Sequence, residues 1–456
     1  MIPVVTPEEM GAIDAAAPDP VEVLIDRAGA AVARAVVELL GGTYGRRVVV
    51  VAGKGNNGAD GREAARRLDR LGVRVEVVEA AAGALAVPAC DLVVDAAYGT
   101  GFRGTWRPPD PGGAPVLAVD IPSGVDGLTG AVEGEALAAV RTVTFAALKP
   151  GLVLGRGRER SGAVEVADIG LDATAVARAH LVTDDDVAAW LPERPLESHK
   201  WRAAVWVVAG SPGMTGAATL ASRSTQRAGA GYVRLSTPGG QAGEGAPLEA
   251  VGVPLPARGW AEEVLSGLDR FRSVVVGPGL GRGDDAAAEV RRLVAGCPVP
   301  LVVDGDALTA LAGGPLTLAA TTVLTPHDGE YARLAGHPPG SDRLEAARSL
   351  AAATGATVLL KGSTTAVASP SGQVLLTTTG GPSLATAGTG DVLSGIVAAF
   401  LAAGLDPLPA AAAAAHVHGR AGSLGWPRGL VAGDLVDLLP AVLPSASPDR
   451  RGPSSR

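Results

Sequence analysis

Acids, amides and glycines recur in this sequence at the ends of short apolar runs, which is where an enzyme needs them. The run Ala385-Thr386-Ala387-Gly388-Thr389-Gly390-Asp391 leads into Val392, Leu393, Ile396, Val397 and Phe400 at helical spacing. Free backbone N–H groups at such a helix start attract an anion, and a carboxylate in the same mouth can accept a proton. The pairing suits phosphoryl transfer: the N–H groups of Gly388, Thr389 and Gly390 would neutralise charge on the moving group while Asp391 takes the proton of the attacking hydroxyl. An Asp that only complements the helix dipole is the plainer alternative. No Walker-type Gly-x-x-x-x-Gly-Lys-Ser/Thr run precedes it, which disfavours an ordinary P-loop nucleotidase.

Other strand ends in the second half carry matching groups. Lys361-Gly362-Ser363-Thr364-Thr365 closes one predicted strand and could hold a nucleotide phosphate or ribose, or simply form a turn. Leu324-Thr325-Pro326-His327-Asp328-Gly329-Glu330 closes another, with a His that could contact substrate. Two glycine loops, Ala209-Gly210-Ser211-Pro212-Gly213-Met214-Thr215-Gly216 and Gly277-Pro278-Gly279-Leu280-Gly281, fall where a ligand crevice belongs. Asp304 and Asp306 end a further strand, and either could cap the next helix.

The first half shows the same pattern. A β-branched run over 47–52 delivers Gly53-Lys54-Gly55-Asn56-Asn57-Gly58-Ala59-Asp60-Gly61 towards a helix. Glycines let the backbone approach a phosphate at a helix N-terminus, and paired amides at a strand end are costly without a ligand. Asp95 with Tyr98-Gly99-Thr100-Gly101, and Asp120-Ile121-Pro122-Ser123-Gly124-Val125-Asp126, end two more strands. Each Asp singly could be a cap or turn former. Three such clusters at one sheet edge indicate a site.

The elements that must position these residues alternate. In the first half the periodicity predicts helices over 21–40 and 61–71 and strands over 47–52, 73–78, 92–95, 116–120 and 142–146. In the second it predicts strands over 203–209, 231–236, 273–276, 301–303, 323–324 and 357–360. Helices are predicted over 216–229, 284–295 and 341–353 and from Gly390. Alternation of this kind gives an α/β chain of two tandem three-layer domains, each a mostly parallel sheet between helices. The polar, proline-broken stretch 192–200 marks the boundary, giving domains over 1–195 and 197–440. The Ser-, Pro- and Arg-rich end over 441–456 is expected to be a disordered tail.

A chain of 456 residues fits two or three domains, and 47% hydrophobic with 19% charged residues supports sizeable cores. Gly 63 and Pro 34 are numerous but aperiodic, so collagen and low-complexity linker are excluded. A net charge of −8 and 3% aromatic residues argue against a nucleic-acid groove. Two distant cysteines, Cys90 and Cys297, imply reduced thiols and a cytoplasmic location. Neither a basic-then-apolar N-terminus nor an apolar stretch of spanning length is present, so secretion and membrane insertion are not expected.

In order, Asn-Asn-Gly-x-Asp-Gly, Val-Asp-x-x-x-Gly-Thr-Gly and Asp-Ile-Pro-Ser-Gly-Val-Asp make the first half resemble the NAD(P)H-hydrate epimerase family, with a Rossmann-like sheet. The resemblance implies a dinucleotide with a hydrated nicotinamide, NADHX or NADPHX. Asn56, Asn57, Gly58, Ala59 and Asp60, and Gly99, Thr100, Gly101, Phe102, Arg103, Gly104 and Thr105, would lie against its phosphates and sugars, and Asp120 at the substrate. It also implies a K+ ion on Asn57, Asp95 and Ser123, oxygen ligands that suit a hard cation. Epimerising the C6 hydroxyl needs a proton donor and acceptor near the ring. Asp120 is the first candidate and Lys149 the second, though Lys149 could equally be a surface residue before a turn. Ala59 stands where that family usually has Gly.

His199-Lys200-Trp201, Ala-Gly-Ser-Pro-Gly-Met-Thr-Gly-Ala, Gly-Pro-Gly-Leu-Gly, Leu-Thr-Pro-His, Leu-Lys-Gly and Ala-Gly-Thr-Gly-Asp make the second half resemble the NAD(P)H-hydrate dehydratase family, which is ribokinase-like. The resemblance implies substrate contacts at Ala217, Gly279, His327 and Asp391. It places a nucleotide on Lys361, Gly362, Ser363, Thr364, Thr365, Gly388, Thr389 and Gly390. ADP, or ATP in some members, would phosphorylate the C6 hydroxyl with Mg2+, and phosphate would then leave to restore NADH or NADPH, with AMP the product from ADP. Departures from the family are Asp328 for Pro, Gly305 for Ala and Ser363-Thr364 for Ala-Gly. A homo-oligomer acting on small molecules, with neither nucleic acid nor membrane as partner, is expected. The alternatives are a small-alcohol kinase (thiazole, pyridoxine or sugar) fused to a binding module, or an N-terminal half that binds without catalysing.

Overall fold

The structure is a computed structural model that describes residues 1–82, 85–241 and 243–444. Contacts divide it into two compact units, Ile2–His180 and, with Met1, the chain from Leu181 onward.

In the first unit, Arg47–Ala52 is apolar and buried at every position after the first. An all-apolar strand can be covered on both faces, as a parallel sheet requires. Six parallel strands follow in the order Arg74–Glu79, Arg47–Ala52, Leu92–Ala96, Val116–Val119, Arg141–Phe145, Ala163–Ala167. The chain leaves Arg47–Ala52 towards one edge and re-enters at Leu92–Ala96 on the other side, so the strand order reverses between these two. A crevice opens outside the carboxyl ends at such a reversal. The helix expected over 61–71 starts earlier, at Asn56, and runs to Arg70. Its polar first turn reads as a loop by propensity, but packing overrides propensity. A Cβ on Gly58 would lie 1.9 Å from the Gly53 carbonyl oxygen, so only glycine lets the helix spring directly from the strand end. The strand expected to include Asp120 stops at Val119, because Asp120 turns to φ 65°.

In the second unit the sheet passes through Val374–Thr377, Thr365–Ala368, Thr357–Leu360, Thr322–Leu324, Leu301–Val303, Ser273–Val276, Ala204–Val208, Tyr232–Ser236 and Val251–Gly252. Pairing is parallel from Thr357–Leu360 onward and antiparallel at both edges of Thr365–Ala368. Helix Thr389–Ala403 buries Val392, Leu393, Ile396, Val397 and Phe400, the stripe read from the sequence. It lies so close to helix Gly216–Arg227 that a Cβ on Gly395 would meet Ser224 Oγ at 2.1 Å and the Ala221 carbonyl oxygen at 2.3 Å. Ser273 Oγ donates to the Ala398 carbonyl at 2.8 Å and ties the helix to the strand below it.

The boundary falls between His180 and Leu181, ahead of the proline-broken stretch 192–200. Residues beyond it already belong to the second unit: Val182 and Val187 are buried in its core, and Val182 N–H donates to the Leu376 carbonyl at 2.9 Å. At the other end, Ala441 and Val442 complete helix Ala432–Val442 and are not tail. The remainder of the expected tail, from residue 445, lies outside the described residues. Among the described residues no helix is long and apolar enough to cross a membrane.

Candidate active sites

In the first unit a cavity of about 960 Å³ opens at the strand reversal. Its floor is an ion pair. Lys149, only 1% exposed, donates from Nζ to Asp120 Oδ1 at 2.6 Å, to Thr144 Oγ1 at 2.8 Å and to the Phe145 carbonyl at 3.0 Å. The surface alternative for Lys149 is therefore overturned: with all three N–H groups engaged it holds the Asp120 side chain in place. Thr144 Oγ1 adds a further hydrogen bond to Asp120 at 3.1 Å. Asp120 and Ala146 are the non-glycine residues with positive φ among the described residues; each directly follows a strand of the sheet, and Asp120 lines the cavity. Such strain persists where surrounding structure enforces it, commonly at functional sites.

Asp60 faces the same space from helix Asn56–Arg70, and burial together with the charges of Asp120 and Asp14 pushes its carboxyl up to about 8, against an opposing pull from Lys149. Asp14, from helix Pro7–Ala15, is raised by burial, with Lys149 opposing and Asp120 adding. Sequence reading missed Asp14, along with the apolar wall of Leu24, Ile25, Phe145 and Ile169. The signal available was the capping box Thr6-x-x-Glu9 that starts the Asp14 helix.

Of the residues expected against the dinucleotide, Asn56, Asn57, Asp60, Gly99, Thr100, Gly101, Phe102 and Arg103 line the cavity. Gly58, Ala59, Gly104 and Thr105 are not part of its lining, and Gly58 is needed for packing instead. Behind the cavity Asp95 is fully buried and accepts from Ser123 N–H at 2.9 Å, Ser123 Oγ at 2.6 Å and Ala97 N–H at 3.3 Å. Burial raises its pKa against those hydrogen bonds. Asn57 is 8% exposed, and neither of its amide atoms has a hydrogen-bond partner among the described residues. Asp95 and Ser123 are bonded to each other, and a buried amide oxygen without a donor, a carboxylate and a hydroxyl are together the kind of oxygen donors that fit a hard monovalent cation.

In the second unit Asp391 stands in the first turn of helix Thr389–Ala403, after Gly388 at φ 89°. Burial, then the charge of Asp304, pushes its carboxyl up to about 7 despite Lys361. Asp304 accepts from Thr325 Oγ1 at 2.7 Å and Ser394 Oγ at 2.5 Å and pairs with Lys361 at 3.0 Å. Burial alone would raise its pKa, but Lys361 and those hydroxyls hold it below the usual range. Lys361, expected at the nucleotide, thus spends its charge on Asp304 and, at 3.6 Å, on Glu330. Burial works against its charge, yet these carboxylates raise its pKa. His418 supports the loop from behind: burial pushes it down to about 4, so the neutral ring donates from Nε2 to the Thr389 carbonyl at 3.0 Å.

The structure brings other expected residues together. A Cβ on Gly279 would lie 3.1 Å from Ala217 Cβ and 3.6 Å from Gly210 Cα, so both glycine loops meet the start of helix Gly216–Arg227. His327 is exposed and caps helix Asp328–Ala335, its Nδ1 accepting from Gly329 and Glu330 N–H at 2.9 and 3.3 Å. Arg343 donates to Asp328 at 2.9 Å and to the Lys361 carbonyl at 2.7 Å, which braces the loop before Gly362. Gly305 has φ 56°, a conformation that explains glycine there.

A family model described as NAD(P)H-hydrate dehydratase matches residues 205–441, and one described as YjeF-related protein N-terminus matches 21–87 and 78–151. Proteins named bifunctional NAD(P)H-hydrate repair enzyme Nnr are similar over nearly the whole chain. The one from Salinibacter ruber is 38% identical over 92% of this chain and 91% of its own. The Moorella thermoacetica protein is 38% identical over 96% of each. Among solved structures, an ADP/ATP-dependent NAD(P)H-hydrate dehydratase from Bacillus subtilis, co-crystallised with ATP/Mg2+, is 32% identical. It covers 57% of this chain and 96% of its own, with a TM-score of 0.50. A ribokinase-like superfamily protein from Enterococcus faecalis is 26% identical over 58% of this chain and 95% of its own, with a TM-score of 0.53.

Proposed function

The chain belongs to the bifunctional NAD(P)H-hydrate repair enzymes, and from that premise we propose that its two units restore hydrated nicotinamide nucleotides in sequence. The first interconverts the R and S hydrates; the second dehydrates the S hydrate to NADH or NADPH at the expense of ADP, giving AMP and phosphate. The observation that carries the reading is Asp391, a carboxylate held near neutral pKa at the mouth of a Gly-Thr-Gly helix start. A base of that pKa is half ionised at neutral pH, which suits proton removal.

Asp391 takes the proton of the C6 hydroxyl, whose oxygen attacks the terminal phosphoryl of the nucleotide. The N–H groups of Gly388 and Gly390 stabilise the charge that develops. Phosphate is a far better leaving group than hydroxide; when the C6–O bond breaks and the neighbouring ring carbon loses a proton, the dihydronicotinamide is restored. The carboxylates of Asp304, Glu330 and Asp391 surround one ammonium. That set fits a Mg2+ arriving on nucleotide phosphates, since magnesium is usually held by one or two carboxylates plus phosphate. In the first unit Lys149 positions Asp120 at the C6 hydroxyl through their ion pair, and Asn57, Asp95 and Ser123 would hold K+, which would supply positive charge beside the dinucleotide.

Incubating S hydrate with ADP and the full chain tests this directly. Reduced nicotinamide, AMP and phosphate should appear in equal amounts. A phosphorylated hydrate that accumulates would instead mark a kinase.

A further inference from the structure

The cavity of the first unit contains a carboxyl that the steps above leave idle. Asp60 is 8% exposed, lines the cavity, and none of the described residues donates a hydrogen bond to it or pairs with it. Asp120, by contrast, is fixed by Lys149 at 2.6 Å and Thr144 at 3.1 Å. The two come from different walls: Asp60 from the helix that follows Arg47–Ala52, Asp120 from the end of Val116–Val119, with strand Leu92–Ala96 between them in the sheet. Asn57, one turn before Asp60, contributes its unpartnered, buried amide to the same lining.

Inverting a hydroxyl-bearing carbon by loss and return of water needs a donor and an acceptor on opposite faces. On the reading that this unit epimerises the C6 hydrate, we infer that Asp60 is the general acid and Asp120 the general base of that inversion. Asp60 gives its proton to the C6 hydroxyl; the C6–O bond breaks, its electron pair leaves as water, and the lone pair of the ring nitrogen forms a C6–N double bond. Water then adds to the other face of C6, one proton passes to the Asp120 carboxylate, and the double-bond pair returns to nitrogen. No oxidant is needed. Asp60 is left ionised and Asp120 protonated, and exchange with solvent, or turnover of the opposite epimer, resets both. The surroundings of Asp60 agree with these roles: burial first, then the charges of Asp120 and Asp14, keep its proton on to about pH 8 against the pull of Lys149, whereas Lys149 directly pairs Asp120.

Full-length protein, given separated R and S hydrates without nucleotide, provides the test. Asp60→Asn should slow interconversion about 100-fold or more, with half-saturation by hydrate changed less than about threefold and dehydration of S hydrate by the other unit unchanged. Wild-type rate should fall as pH rises through about 8, Asp60→Glu should restore part of the rate together with that fall, and each inverted hydrate should carry one oxygen from solvent. An Asp60→Asn protein that interconverts at the wild-type rate, or keeps the alkaline fall, overturns the role of Asp60 and leaves the epimerase reading standing. Wild-type protein no faster than spontaneous interconversion overturns both.

Discussion

Asp391→Asn should remove nucleotide-driven dehydration and, at the same time, stabilise the second unit at neutral pH. The carboxyl titrates at about 7 in the folded chain against an ordinary 3.8. At 1.36 kcal/mol per pH unit this displacement corresponds to about 4 kcal/mol of folding free energy lost by forcing the group to ionise where it sits. Part of the carboxyl faces water, so about 2–4 kcal/mol is the expected gain for the neutral amide. The sign follows from proton counting. Below pH 3.8 both folded and unfolded chains are protonated and nothing is lost; between 3.8 and 7 only the unfolded chain releases the proton, so wild-type stability falls as pH rises. Above 7 the full cost remains. The variant should therefore melt about 5–10 °C above wild type at pH 8, with the gap shrinking to about 1–2 °C at pH 4.5. Thermal melts across this range, followed by a probe in the second unit, provide the assay. A variant that melts at or below wild type at pH 8, or a gap that does not narrow with acid, would refute the claim that Asp391 is a destabilised base held for catalysis.

Two further perturbations probe the scaffold. Lys149→Met leaves the Asp120 carboxylate without its ammonium in a buried setting, so chemical denaturation should show a loss of about 3 kcal/mol in the first unit. Interconversion of the hydrates should drop about 100-fold or more, and retention of wild-type epimerisation would show that the pair is structural. Gly395→Ala would drive a methyl to 2.1 Å from Ser224 Oγ and 2.3 Å from a backbone oxygen. Helix Thr389–Ala403 must then shift, at a cost of about 3 kcal/mol, and dehydration should fall while epimerisation is spared. Unchanged melting would mean that the two helices are not packed as described.

The parts of this architecture that announce themselves in sequence are those with continuous or periodic apolar runs. Val48 to Val51 can only be a buried strand, and Val392 to Phe400 only a buried helix face. Glycine-rich strand ends were legible for the same reason, since Gly53, Gly279 and Gly388 meet backbone, a side chain or a positive φ that no other residue would satisfy. Less legible was the hairpin of Thr365–Ala368 and Val374–Thr377, whose four-residue strands leave little period to detect. The boundary at His180 was hidden because the polar stretch near 195 belongs to a unit that has already begun. For Asp14 the capping box at Thr6 signals only its helix: its importance lies in facing Asp60 and Lys149 across a cavity, and nothing local to residues 7–15 encodes that. The position of Lys361 at a strand end is legible, but its pairing with Asp304 is not, because it depends on a partner 57 positions away.

The most direct measurement starts from pure R hydrate, full chain and ADP, and follows the return of reduced-nicotinamide absorbance. Wild type should recover all of the cofactor after a short lag, because the first unit must supply the S form before the second can act; Asp391→Asn should give a mixture of both hydrates and no reduced cofactor. R hydrate that stays unchanged with wild-type protein, or Asp391→Asn that regenerates NADH, would contradict two sites working in series on one chain.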